Sequence, residues 1–274
     1  MRLLILLFGL LAAAASSAQQ QITEEVPYVR TPQAVVDAML ELAGVRASDF
    51  LIDLGSGDGR IVITAAQRHG ARGFGVDLDR RLVSESEDKA RAAGVADRVA
   101  FYEQDIFKTD LESASVITMY LLPEYNLALR PRLLALKPGT RIVSHDWDMG
   151  DWKHDASVEV DAPDKPVGLR KSSTVHLWIV PARIEGRWRS SLAPGGRVVR
   201  FDLQQNFQEL SGTVSIGGRS LPLERTTLKG TFLSFRVQEG KRTLRFNGHA
   251  AAGRISGQLG VGEHTYRWRA LRAD

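Results

Sequence analysis

The sequence predicts an α/β unit, a mostly parallel seven-stranded sheet with helices on both faces, followed by a small antiparallel all-β barrel or sandwich. Three observations predict it. From Thr31 to about Ser172 short apolar runs alternate with amphipathic stretches, the pattern of successive βαβ units. After Pro181 the texture changes to short runs of strict in–out alternation, such as Val199, Phe201 and Leu203 against Arg200 and Asp202, punctuated by glycines; that is the signature of antiparallel strands. The charge divides at the same place. Residues 182–274 hold 16 Lys and Arg against 7 Asp and Glu, a net of +9, whereas residues 1–181 hold 20 against 25, a net of −5. Two units with different surfaces are therefore expected, 19–181 and 182–274.

The elements follow in order. Thr31-Pro32 is a helix start, a capping residue before a proline at the first helical position, and Gly44 ends the helix. Strands are expected at Phe50–Leu54, Gly73–Val76, Val99–Tyr102, Val116–Tyr120 and Arg141–Ser144, with helices after the glycine turn at 55–59, from Arg80 to Ala93 and from Leu127 to Leu136. Two more strands, Ser157–Val160 and Thr174–Val180, have no room for a helix between them and are expected to form an antiparallel edge pair. The second unit reads as seven or eight strands, with Trp188, Phe201, Phe232, Phe235, Phe246, Tyr266 and Trp268 mostly inward.

Composition narrows the function. With 43% hydrophobic and 25% charged residues the chain of 274 is ordinary globular protein, and without cysteine it holds no disulfide, iron–sulfur cluster or thiol nucleophile. Residues 1–18 combine Arg2, an apolar run from Leu3 to Ala15 and small residues before Gln19. That is the pattern of a cleaved secretory signal, too short for the roughly 20 apolar residues of a spanning helix. An exported protein, periplasmic or secreted, beginning at Gln19 and without a transmembrane span, is the expectation.

The densest chemical signal is Asp53-Leu54-Gly55-Ser56-Gly57-Asp58-Gly59-Arg60, between a strand and a helix. Glycines there let a ligand approach the backbone, and the helix N-terminus attracts a negative end. A dinucleotide fingerprint would need its third glycine at the position of Arg60. Acid-x-Gly-x-Gly-x-Gly instead resembles the first motif of class I S-adenosylmethionine-dependent methyltransferases, which implies a Rossmann-like sheet and S-adenosyl-L-methionine as cofactor, bound by Asp53, Gly55, Ser56, Gly57 and Gly59. Asp77 ends the second strand, where an acid accepts ribose hydroxyls. The resemblance also implies Asp105 at the exocyclic amine of the adenine and Ile106 against its ring.

Three further segments narrow the likeness: residues 27–32 (PYVRTP), 119–124 (MYLLPE) and 138–152 (PGTRIVSHDWDMGDW). With the glycine motif they are similar to the small protein-lysine methyltransferase family that acts on the adenine nucleotide translocase and the ATP synthase c-subunit. The likeness runs from about Val26 to Asp155. It implies a lysine acceptor, Tyr28 at the cofactor, and Tyr120 and Glu124 at the mouth of the site, with Asp146, Asp148 and Asp151 following the fifth strand. A lysine amine must lose its proton before attack, and Glu124 first, Asp146 second, are the carboxylates to hold it. Glu124 reads equally as a helix-start acid beside Pro123. Trp147 and Trp152 read either as channel walls or as packing, and no metal is expected. A small-molecule methyltransferase, or a non-catalytic cofactor-binding module whose β-domain binds an acidic partner, remain alternatives. The basic β-domain itself reads as a solvated strand face or as a surface for an acidic partner, without a nucleic-acid module signature.

Overall fold

The computed structural model describes residues 28–192 and 196–273. The expected signal segment, 1–18, lies outside the described residues.

The first sheet comprises β1 (Phe50–Leu54), β2 (Arg72–Asp77), β3 (Val99–Glu103), β4 (Val116–Met119), β5 (Arg141–His145), β6 (Ala156–Asp161) and β7 (Ser172–Ile179), in the order β3-β2-β1-β4-β5-β7-β6. Strands β1 to β5 are parallel, and β7 runs antiparallel between β5 and β6. The expected antiparallel pair is present, with β7 set inside and β6 at the edge. Because β6 runs in the direction of β5, the loop joining it to β7 emerges at the carboxyl ends of the parallel strands.

Alternation along the central strands separates two cores. Leu51, Val116 and Val143 face one side, where they meet α1 (Gln33–Leu42), α2 (Arg60–His69) and α3 (Arg80–Ala92) through Val35, Met39, Val62 and Val83. Ile52, Ile117 and Ile142 face the other side and meet Leu129 and Leu133 of α4 (Pro123–Leu134). Each such side chain taken fully out of water contributes about 1.5–3 kcal/mol.

Two helix starts differ from expectation. Pro32 is itself the N-cap of α1, and Thr31 does not cap: its hydroxyl faces Nδ1 of His145 at 3.4 Å. Helix α4 begins four residues earlier than the apolar spacing indicated, because Pro123, fixed in helical φ, occupies its first turn.

The second sheet has nine antiparallel strands: β8 (Gly186–Leu192), β9 (Arg197–Asn206), β10 (Glu209–Ile216), β11 (Arg219–Pro222), β12 (Glu224–Lys229), β13 (Phe232–Glu239), β14 (Arg242–Ala251), β15 (Arg254–Val261) and β16 (His264–Arg272). Their order is β11-β10-β9-β8-β16-β15-β14-β13-β12, so the first strand pairs with the last in a nearly closed barrel. Nine is one or two more than the alternation predicts, because the four-residue β11, ending in a proline, is too short to show a period. Phe201, Phe235, Phe246 and Trp268 form an interlocked aromatic core, the Phe235 and Phe246 rings 4.9 Å apart. Phe232, expected inward, is 37% exposed.

Trp152 joins the two sheets. It is fully buried, lies against Trp178 of the first sheet and stacks on Phe207 in the turn between β9 and β10, and its Nε1 donates to Gln208 Oε1 at 3.0 Å. It is thus packing and does not line a channel. Removing a buried tryptophan costs about 3–5 kcal/mol. Trp152→Ala is expected to lower the unfolding free energy read from urea titration by that much, while Trp152→Phe, which keeps an aromatic ring but loses the bond to Gln208, is expected to lose less.

Candidate functional site

Among β1 to β5 the strand order reverses between β1 and β4, and in such sheets ligands settle at the carboxyl ends beside the reversal. Asp53, Asp77, Asp105, Tyr120 and Asp146 are all found at that edge. Asp53 spans the reversal itself: it is paired with Thr118 in the β1–β4 register, and the Thr118 hydroxyl donates to its Oδ1 at 2.7 Å.

The glycine turn is held from below. Gly55, Gly57 and Gly59 have φ of 76°, 54° and 76°, left-handed conformations that side chains resist. Gly55 and Ser56 donate backbone N–H to the Val76 carbonyl, and Gly57 donates to Asp77 Oδ2 at 2.8 Å. The other oxygen of Asp77 accepts from the N–H of Asp79 at 3.0 Å. Tyr28 covers the turn: a Cβ on Gly57 would lie 2.3 Å from its ring. Its phenol is pushed up to about 12 by burial and by the negative Asp58.

Three residues that the motif reading left without a role complete this clasp. Asp58 is buried and takes charged hydrogen bonds from Arg60 (2.8 and 2.6 Å) and Lys89 (2.7 Å). Burial opposes its ionisation, but Arg60 and Lys89 together hold its carboxyl well below the usual range. Arg60 then reaches the Thr31 carbonyl at 2.8 Å, fastening the segment that carries Tyr28 over the glycines. The departure from the dinucleotide pattern at residue 60 was the available signal.

Two buried polar atoms here have no protein partner, Asp53 Oδ2 and Ser56 Oγ. Burial, with the charges of Asp77 and Asp58 adding to it, raises the Asp53 carboxyl from its ordinary value near 3.8 to about 7. An open carboxylate oxygen in a dry site fits a cationic ligand, and such a ligand expels the proton. The folded protein therefore holds a proton on Asp53 that the unfolded chain has lost, so this group's stabilisation is full below pH 3.8 and disappears as pH rises through about 7. Calorimetry in buffers of different ionisation enthalpy is expected to show proton release on cofactor binding at pH 6, little at pH 8, and none in Asp53→Asn.

Farther along the edge, Asp105 Oδ1 accepts from the Phe107 N–H at 2.8 Å while its side chain stays partly exposed. Ile106 is 8% exposed and packs with the α4 core.

Beyond β4 and β5 a cavity of about 480 Å³ opens, lined by Tyr120, Asp146, Trp147, Lys165, Leu169 and Arg170 among others. Asp146 has a φ of 63°. Its Oδ1 accepts from the Thr174 N–H at 3.0 Å, and its Oδ2 takes the Lys165 ammonium at 2.7 Å. Lys165, on the β6–β7 loop, also donates to the Ser172 carbonyl at 3.0 Å and is 9% exposed. Tyr120 stacks on His145 with ring centroids 3.8 Å apart. Its phenol is pushed up to about 12 by burial and by Asp146. His145 is fully buried against Ser173 Oγ at 2.8 Å, and burial pushes its pKa down, so the ring is neutral at pH 7. Buried Asn126 on α4 donates to Ser144 Oγ and to the carbonyls of Trp147 and Asp148, pinning the loop after β5.

Lys165 and Asn126 were not singled out from the sequence. Asn126 falls one residue before the helix that the apolar spacing predicts and Lys165 lies in a loop, so neither carried a signal. Glu124 lies exposed in the first turn of α4, outside the residues lining the cavity. Asp148 accepts from the Gly150 N–H, and Asp151 pairs with Arg130. Among the described residues no three His, Asp or Glu converge as a metal site requires.

Comparison with known proteins agrees with this geometry. The sequence profile of the ANTKMT methyltransferase domain matches residues 53–156. A protein-lysine N-methyltransferase of Saccharolobus islandicus is 37% identical, over 57% of this chain and 94% of that protein. The adenine nucleotide translocase lysine N-methyltransferase of Mus musculus is 33% identical over 49% of this chain, and the match spans only 58% of the mouse protein. Among solved structures, an RNA methyltransferase from Salinibacter ruber in complex with S-adenosyl-L-homocysteine is 50% identical, with a TM-score of 0.52, covering 57% of this chain and 96% of that one. None of these matches takes in the whole chain.

Fold, strand-end carboxylates and glycine turn together define an S-adenosylmethionine-dependent methyltransferase, with S-adenosyl-L-methionine as its cofactor. Within that class the chain belongs to the ANTKMT methyltransferase domain family.

Proposed function

We propose that this enzyme transfers a methyl group to the amine of a protein lysine by in-line displacement. The observation that carries the proposal is the cavity at Tyr120 and Asp146, at the carboxyl-end edge of the same sheet whose β1 leads into the glycine turn; the names of the Saccharolobus and mouse relatives support a lysine acceptor. Asp53, Gly55, Ser56, Gly57 and Gly59 would hold the amino-acid end of the cofactor, Asp77 the ribose, and Asp105 and Ile106 the adenine, with Tyr28 as cover. When bound, the cofactor supplies an already activated methyl group on a sulfonium.

The protein's share is alignment and deprotonation, and alignment of two reactants accounts for up to about 7–11 kcal/mol of a barrier. Tyr120, kept neutral and fixed by His145, is placed to orient an incoming amine. Lys165 sits at Asp146 as a second ammonium, and a cation beside an entering lysine, together with burial, lowers the pKa of that lysine. The proton passes to Asp146 or to water at the mouth, and Glu124, exposed on the rim, would meet the acceptor protein before the amine enters.

The test is transfer of labelled methyl from S-adenosylmethionine into a lysate of the native organism. Label that protease removes, and that mass spectrometry locates on lysine, is expected. The Salinibacter relative is an RNA methyltransferase, so label removed by ribonuclease in place of protease would overturn the lysine assignment. Export belongs to the same proposal: the isolated native protein is expected to begin at Gln19.

A further inference from the structure

The outer face of the barrel carries an arrangement that neither the methyltransferase fold nor its relatives account for. Arg200, Arg189, Leu271 and Arg254 follow one another across four neighbouring strands: Arg200 opposite Arg189, Arg189 opposite Leu271, Leu271 opposite Arg254. With strands about 4.8 Å apart the row spans roughly 15 Å. All four side chains are exposed, as are Arg187 and Arg269, two residues along their strands. The acid on this stretch is Asp202, opposite Arg187.

Two features make the face more than a solvated surface. Like charges directly opposite each other destabilise a sheet, yet Arg189 faces Arg200 here and Arg236 faces Arg245 on β13 and β14. Of the sixteen basic residues after Pro181, Arg197 is the one with an acidic partner in ion-pair range among the described residues. Exposed aliphatic side chains lie among the cations: Leu271, 56% exposed, has Arg189 and Arg254 on its two sides, and Val198, 40% exposed, lies two residues from Arg200 on the same strand. An acidic protein or a nucleic acid would account for the arginines. Bases stack on aromatic rings, and this row holds none; aliphatic side chains among guanidinium forks fit a headgroup layer above acyl chains.

We propose that this face docks onto an anionic phospholipid surface, the arginines taking headgroup phosphates and Leu271 with Val198 entering the acyl boundary. It would hold the cofactor site at a membrane, independently of which acceptor is methylated.

The test is sedimentation of the chain from Gln19 onward, the form proposed above, with vesicles of phosphatidylcholine alone and of phosphatidylcholine with phosphatidylglycerol. Without the apolar run Leu3–Ala15, vesicle binding reports the folded units. Binding at least about tenfold tighter to the anionic vesicles, weakening with salt, is expected. The double variant Arg189→Glu, Arg254→Glu is expected to lose about 30-fold, at about fivefold per arginine, and Leu271→Ser a smaller factor without change in the salt dependence. Arg189→Lys with Arg254→Lys retains most of the binding and shows that the barrel tolerates change there. Cofactor affinity stays unchanged throughout. Equal affinity for neutral and anionic vesicles, or a double reversal that binds like the parent, would overturn the proposal. So would an RNA that binds more tightly than anionic vesicles and displaces them, which would make the partner a nucleic acid.

Discussion

Asp77→Asn is expected to weaken S-adenosylmethionine binding by about 100-fold or more, read by calorimetry, while the thermal midpoint of the free protein falls by only a few degrees. Hydrogen bonds to a charged acceptor contribute about 1.5–3 kcal/mol each, and two ribose hydroxyls would share this carboxylate. The same oxygens already accept N–H groups from Gly57 and Asp79. An asparagine offers one oxygen where two are used, and turns an N–H toward a backbone N–H on one side. The loss therefore falls on the ligand and on the shape of the turn together. A variant that binds the cofactor as tightly as the parent would remove Asp77 from the site.

The second large effect is expected at Asp146. Its φ of 63° is a conformation that asparagine tolerates better than most residues, so Asp146→Asn removes charge and leaves the backbone in place. Lys165 then keeps an ammonium in a nearly buried position with only the Ser172 carbonyl as partner. Breaking a buried pair from one side costs about 3–5 kcal/mol; the pair retains 10% and 19% side-chain exposure, which brings the expected loss to about 2–3 kcal/mol. Turnover is expected to fall at least about 100-fold with cofactor affinity unchanged, the mark of a residue acting on the acceptor. Adding Lys165→Met restores much of the stability, since neither charge is then alone. If it also restored turnover, Asp146 would be a scaffold for the loop and not part of the chemistry.

Much of this was readable from the chain because it depends on neighbours in sequence. The glycine turn, its acid and the carboxylates at strand ends sit within a few residues of the strands that place them, so the local motif and the family resemblance it carries located them together. Their long-range partners were not readable. Arg60 reaching Thr31, Lys89 reaching Asp58 and Lys165 reaching Asp146 each depend on loops meeting in space, and a lysine in a loop carries no periodicity. Glu124 shows the converse. Its place beside Pro123 was correctly a helix start, and the helix orientation that leaves it outside the cavity lining depends on packing by Leu129 and Leu133. Trp152 was ambiguous for a similar reason, since its partners Phe207 and Gln208 lie more than fifty residues away in sequence.

The pairing of β8 with β16 has a consequence for the order in which the molecule assembles. Ser190 and Ala270, eighty residues apart, are direct neighbours, so the barrel cannot close until its last strand is available. The first sheet is complete once β7 has been made, and its strands mostly join near neighbours. Long-range pairing is slow because loop closure precedes any contact that rewards it. The cofactor-binding half is thus free to form first, with the barrel as the later step. A truncation at residue 263 would leave β8 and β15 as two open edges, exposing strands prone to pair with other chains.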